Sequence, residues 1–316
     1  MDTIIGHERI LDFFRTVIDK GRLSHAYCLS GPEHVGKRRI VEEVSSIILG
    51  VPREKLLTIP DYTVVAPPVD EKTGVQKRDI DVDAIRDLRT TLSRFSFLGG
   101  WKIAVIDGAE RLNQSSGNAL LKTLEEPAPK TVLFLVTSND ADMPATILSR
   151  CQTISVAPVS CDTIRIALEK SGSLHADAEE MARLSRGLPG LAISWREDGV
   201  AYEEYKKDVE QFLDLIDKPF FAKIQRTEGL LEEKDPGGAI RERLGEILML
   251  WEILAREMLH NAISESAYRI HHFSSEKTWK DRDIVPLLNR IRESREYLWK
   301  NVSPKMLLER VLLEIP

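Results

Sequence analysis

Cysteine is scarce in this chain. Cys28, Cys151 and Cys161 are the only three, and no two of them form a C-x-x-C pair. An odd count without that spacing argues against a disulfide scaffold and a structural zinc site, and it fits a reducing compartment. Long apolar runs are missing too, so no segment matches the ~20 residues needed to cross a bilayer. The opening stretch "MDTIIGHERI" has neither the basic flank nor the apolar core of a signal peptide. A cytoplasmic protein with no membrane partner is expected. An excess of positive charge is also absent: 44 Lys and Arg stand against 50 Asp and Glu, a net charge of −6. Affinity for DNA comes from neutralising phosphates, so strong DNA binding by the chain alone is not expected. Arg78, Arg86, Arg89 and Arg94 are close in sequence, but a solvated helix face explains them equally well.

What is present is apolar content of 42% in 316 residues, enough for more than one core. Short apolar runs at 25–30, 62–67, 101–107, 131–138 and 152–157 read as strands. They are nearly unbroken, as parallel strands covered on both faces are. Helical patterns at 8–20, 37–49, 82–92 and 113–126 alternate with them. The alternation predicts an α/β domain with a doubly wound parallel sheet over 1–157. Short amphipathic helices follow over 158–200, the second of them punctuated by "GLPG" at 187–190. From 201 to 316 the pattern is all-α, with Leu, Ile, Met and Trp recurring three or four apart as in a helical bundle. Met and Trp in "EILMLWEILAREMLH" are expected in its core. The polar segment 69–79 reads as a surface loop. His271 and His272 are adjacent and do not share a helix face, so a loop is expected there rather than a metal ligand pair.

The stretch "SGPEHVGKRR" nearly completes the phosphate-binding pattern G-x-x-x-x-G-K-[ST]. Gly31, Gly36 and Lys37 take their places between a predicted strand and a predicted helix. In such a loop the glycines let backbone N–H groups approach phosphate, and the lysine reaches the outer phosphates. The last position should supply a hydroxyl to Mg²⁺ and instead carries Arg38. "KIAVIDGAE" ends a strand at Asp107, where a metal-orienting aspartate belongs, but Gly108 stands where many such ATPases place a glutamate that activates water. Glu110 comes two residues later, and a loop leaving a strand end is expected to aim it elsewhere. Both losses together argue against hydrolysis. Asp107 as a plain cap of the next element is an equal reading. In "TILSRCQTI", Arg150 precedes the last strand. A planar, permanently charged guanidinium suits phosphate recognition, although an ordinary surface arginine is the simpler reading of the residue taken alone. Cys151 has no evident neighbouring base and reads as packing.

Taken together, "RLSHAYCLSGPEHVGK", "LGGWKIAVIDGAERLN", "NALLKTLEEPAPKTVLFLVTSN" and "TILSRCQTI" resemble the delta-prime family of bacterial DNA polymerase III clamp-loader subunits, relatives of the ATP-hydrolysing gamma and tau subunits. The resemblance covers roughly residues 4–157, in the family's order. It implies an AAA+ RecA-like core, a small helical lid and a helical collar that joins a pentameric ring. It also implies a stator without a productive nucleotide site, which helps place the sliding clamp on primer-template DNA. Arg150 would then be an arginine finger given in trans to an adjacent gamma or tau subunit, with the delta subunit as a further partner. Gly31, Gly36, Lys37, Asp107 and Thr137 would line a degenerate nucleotide site, with Asn139 as the alternative to Thr137 at the phosphate-sensing strand end. ATP with magnesium stays open as a ligand, but hydrolysis is not expected. The alternatives are a subunit that itself binds ATP, a weak gamma- or tau-like ATPase, or a stand-alone AAA+ adaptor. Motor subunits usually carry an arginine after the glycine near "RGLPGLAI". Here Leu191 follows Gly190, with Arg183 and Arg186 nearby. Many relatives carry a cysteine-ligated zinc module after the phosphate loop; residues 50–80 contain no cysteine, so no zinc is expected.

Overall fold

A computed structural model describes residues 4–68, 79–231, 239–263, 280–298, 300 and 302–316. Most of the segment expected as a surface loop, Arg78, and the pair His271 and His272 lie outside them. The chain divides into two compact units, Met1–Glu197 and Asp198–Pro316.

The first unit is built on a parallel five-stranded sheet. Its strands are β1 (Ala26–Ser30), β2 (Tyr62–Val65), β3 (Lys102–Asp107), β4 (Thr131–Thr137) and β5 (Gln152–Ser155), in the order β2-β3-β4-β1-β5. Helix α1 (Glu8–Asp19) precedes β1, and α2 (Lys37–Leu49), α3 (Val82–Ser93), α4 (Gln114–Glu125) and the short α5 (Ala145–Leu148) connect the strands. β1 and β4 are buried along their whole length, so apolar side chains are needed at every position rather than at every second one. On one face Phe14, Tyr27 and Phe134 pack ring to ring. On the other, Ile85, Leu88 and Leu120 from α3 and α4 cover Ala104, Ile106 and Leu135. β5 departs from the expected fully covered strand: Gln152, Thr153 and Ser155 are exposed. It is an edge strand bonded only to β1, which fits its polar residues Gln152, Thr153 and Ser155.

Three helices close this unit: α6 (Cys161–Lys170), α7 (His175–Leu184) and α8 (Pro189–Glu197). The "GLPG" stretch does more than punctuate, because α8 starts inside it at Pro189. Proline suits a first helical turn, where its missing N–H has no intrahelical partner anyway.

The second unit is helical: α9 (Gly199–Leu215), α10 (Phe220–Thr227), α11 (Ala239–Ile263), α12 (Asp281–Tyr297) and α13 (Pro304–Leu312). Trp251 and Met258 are in its core as expected, whereas Met249 is exposed. Helices α11 and α12 are joined through Glu252, which is only 7% exposed. Its carboxylate accepts from Arg256 at 2.6 Å, Arg295 at 2.6 Å and Arg292 at 3.3 Å. Burial pushes the Glu252 pKa up, but the bonds from Arg295 and Arg256 outweigh it and hold the group below its ordinary value of 4.5. Among the described residues no helix is long and apolar enough to cross a membrane.

A carboxylate whose pKa is lower in the folded state stabilises fully above its unfolded value and loses that contribution as pH falls through the folded one. The helical unit is therefore expected to lose stability as pH drops below about 4.5. Denaturant midpoints measured down to about pH 3 should show a shallower acid decline in Glu252→Gln, from a lower neutral starting point. An unchanged acid slope would contradict the role given to Glu252.

Candidate functional site

β1 ends at Ser30 and the chain turns at once through Gly31–Gly36 into α2. The Gly31 N–H donates to the Thr137 carbonyl at 3.3 Å, and the Val156 N–H donates to Ser30 at 2.7 Å. A Cβ added at Gly31 would lie 2.2 Å from the Val156 carbonyl oxygen. Only glycine fits there. Gly36 has open space around it but a φ of +104°, a conformation that glycine adopts without penalty. These two glycines thus have structural reasons to be where they are.

Lys37 starts α2 and is buried. Its ammonium does not point outward; Nζ donates to the carbonyls of Gly31 at 2.6 Å and Pro32 at 2.7 Å. Burial lowers its pKa, opposed in part by Glu33, Glu110 and Asp107. Next to it, Arg38 spans two carboxylates. Its Nε donates to Glu42 at 2.9 Å, one helical turn on, and Nη1 donates to Asp107 at 3.1 Å, at the end of β3. Burial works against the Arg38 charge, but Tyr62, Asp107 and Glu42 together raise its pKa. Tyr62 lies against this group, its phenol pushed up to about 12 chiefly by burial.

A cleft of about 180 Å³ brings Lys37, Asp107, Glu110 and Thr137 together. The expectation that Glu110 is aimed elsewhere is corrected here. A 3₁₀ turn at Ala109–Arg111 folds straight back after β3 and returns Glu110 to the cleft. Gly108, at φ +75°, makes that reversal possible. Glu110 accepts from the Ser138 hydroxyl at 2.7 Å. Burial pushes its pKa up, and hydrogen bonds led by that of Ser138 outweigh it and bring it down. The Thr137 hydroxyl donates to the Asn139 carbonyl at 2.9 Å. The Asn139 side chain accepts from Ala141 and donates to Asp142, within its own turn, and it does not line the cleft.

On the other side of the loop, a recess of about 350 Å³ lies between Val35 and Gly36 and the start of α8. The Gly190 N–H donates to the His34 carbonyl at 2.8 Å, and a Cβ at Gly190 would stand 2.8 Å from the same oxygen. Close approach of α8 to the loop therefore requires glycine at that position. Neither Arg183 nor Arg186 lines either recess. Cys28 and Cys151 are held protonated, raised to about 11 and about 12, mainly by burial. Among the described residues no group of three or more His, Cys, Asp or Glu side chains could hold a metal ion.

Arg150 is not in the cleft. It follows α5 and precedes β5, and Tyr27 pairs with Gln152 while Ser30 pairs with Ser155. The strands are parallel, so Arg150 sits where β5 begins and the phosphate-type loop sits where β1 ends. The four residues of β5 separate those ends by about 13 Å at ~3.3 Å per residue. The Arg150 guanidinium donates to the Thr146 carbonyl at 2.9 Å and to Glu125 of α4 at 2.7 Å. Glu125 was not singled out from the sequence. The only pointer to it was its place in "LLKTLEEP", beside the residues that carry the family resemblance.

The family model described as "DNA polymerase III, delta subunit" matches residues 6–160. The DNA polymerase III subunit delta' of Haemophilus influenzae is 35% identical over 155 residues, 48% of this chain and 45% of that protein. The tau subunit of Escherichia coli is 27% identical over 282 residues, 81% of this chain and 42% of that protein. The matched stretch thus spans about half the length of the curated relatives or less. A DNA polymerase III gamma subunit-related protein from Thermotoga maritima shares the fold, with a TM-score of 0.52 at 20% identity over 95% of this chain and 97% of that one. The first half of the chain is delta-prime-like in sequence, tau is a relative, and the fold is shared with the gamma subunit-related protein.

If the loop glycines are held by packing, Gly31→Ala should destabilise the first unit by about 1–3 kcal/mol or more, the cost of forced overpacking. Lys37→Ala removes two hydrogen bonds but also relieves the burial of a charge, and should cost less, about 1 kcal/mol. Urea unfolding of both variants decides this. A larger loss for Lys37→Ala would contradict the packing account.

Proposed function

We propose that this delta-prime-like chain is a non-hydrolysing subunit of a DNA polymerase III clamp loader, and that it presents Arg150 to a nucleotide bound by an adjacent subunit. One observation carries the reading. Arg150 stands at the opposite end of the sheet from the chain's own phosphate-type loop, so it cannot reach phosphates bound there, and only a nucleotide on another chain is open to it. Its ion pair supports the same role. The Arg150 and Glu125 side chains are 37% and 50% exposed, and such surface pairs contribute only about 0–1 kcal/mol. Glu125 therefore orients the guanidinium without holding it tightly. A phosphate offers stronger, forked hydrogen bonds and can take the arginine over.

On this reading the gamma or tau and delta subunits are direct partners. The sliding clamp and primer-template DNA are reached through the complex, in the cytoplasm. A second reading, in which the chain also binds a nucleotide without hydrolysing it, is favoured by the recess of about 350 Å³ beside Gly36.

Arg150→Ala should leave the isolated chain folded, since it removes only exposed contacts, the Glu125 ion pair and the hydrogen bonds to Thr146 and Ser149. It should slow hydrolysis at the one adjacent site by about 10³-fold, the value of a trans arginine in phosphoryl transfer, which reads as a partial loss of the DNA-stimulated ATP turnover of the reconstituted loader. Turnover equal to that of the wild-type complex would rule out the trans role.

A further inference from the structure

The phosphate-loop pattern implies a magnesium ion beside the bound nucleotide, held by the hydroxyl after the loop lysine and oriented by the aspartate that ends β3. The residues of this chain do not fit that ion. Magnesium takes oxygen ligands in a tight octahedron. Where the first oxygen should be, Arg38 places a guanidinium. Its Nη1 is already 3.1 Å from Asp107, and its Nε is 2.9 Å from Glu42. The carboxylate meant for the metal is thus engaged, and a fixed positive charge stands within hydrogen-bond reach of it. Arg38 is 29% and Asp107 35% exposed, so water screens the pair only partly.

We infer that Arg38 is a built-in substitute for the divalent cation. It neutralises Asp107, ties the first turn of α2 to the end of β3, and excludes metal from the cleft. Any nucleotide that enters does so without a metal ion. This inference concerns the chain's own cleft and is independent of the role given to Arg150, so either can fail alone.

The test is thermal unfolding of the purified full chain with ATPγS, once in EDTA and once in excess Mg²⁺. The wild type should melt at the same temperature in both. Arg38→Thr restores the hydroxyl and frees Asp107, so magnesium should raise its melting temperature by several degrees over the EDTA sample. Arg38→Lys keeps a positive charge and should behave as the wild type. A magnesium-dependent rise in the wild type, or a folded Arg38→Thr that ignores magnesium, would overturn the inference. If circular dichroism shows Arg38→Thr unfolded, a Mn²⁺ titration of the wild type with ATPγS, followed by electron paramagnetic resonance, decides the matter. No immobilised Mn²⁺ is expected, and a bound ion would overturn the inference.

Discussion

Strand β1 is buried from end to end between β4 and β5, and the chain must leave it in the space that β5 allows. The Val156 carbonyl closes that space to any side chain at Gly31. The next constraint follows directly: α2 has to begin at an angle that only a positive φ at Gly36 provides. Lys37 then falls beneath the turn it has just made and bonds to two of its carbonyls. A glycine-glycine-lysine pattern therefore has a structural explanation in this chain that needs no phosphate. Packing of α8 adds to it, because Gly190 lies against the same loop at His34.

Two arginines divide the electrostatics of this domain. Arg38 sits between two carboxylates at the edge of the cleft, and removing it would leave Asp107 without its partner. Arg150 rests on one exposed carboxylate and the Thr146 carbonyl at the far end of the sheet, and loses little on leaving them. The same side chain is thus fixed in one place and transferable in the other. The number of anionic neighbours, two for Arg38 and one for Arg150, sets the difference. In the proposed complex, the first arginine keeps this chain's own cleft silent and the second serves a neighbour's nucleotide.

Much of the first unit was legible in the sequence. Fully buried strands need apolar residues at every position, so β1 and β4 announced themselves. The turn after β1 was marked by glycines whose spacing has a steric cause. β5 was read as covered because Ile154, Val156 and Ala157 were taken as one apolar run, although Gln152, Thr153 and Ser155 already carried the mark of an edge. α8 was hidden by a proline and glycine that usually end helices but here start one. Glu110 was misplaced because the tight 3₁₀ turn after Asp107 is set by the backbone conformation of Gly108. The pairings that define the site were beyond reach. Arg38 meets Asp107 across 69 positions and Arg150 meets Glu125 across 25, and no local pattern encodes either. In the second unit the helical class and core positions such as Trp251 and Met258 could be read, whereas its central Glu252 cluster is likewise a contact between different helices.

The most direct test is a structure of the reconstituted clamp loader with an ATP analogue and magnesium, at a resolution that shows side chains and ions. The account predicts the Arg150 guanidinium within hydrogen-bond distance of a phosphate held by the adjacent subunit. It also predicts Arg38 still on Asp107, with no metal between them. Arg150 remaining on Glu125 far from any nucleotide, or magnesium coordinated by Asp107 in this chain, would contradict it.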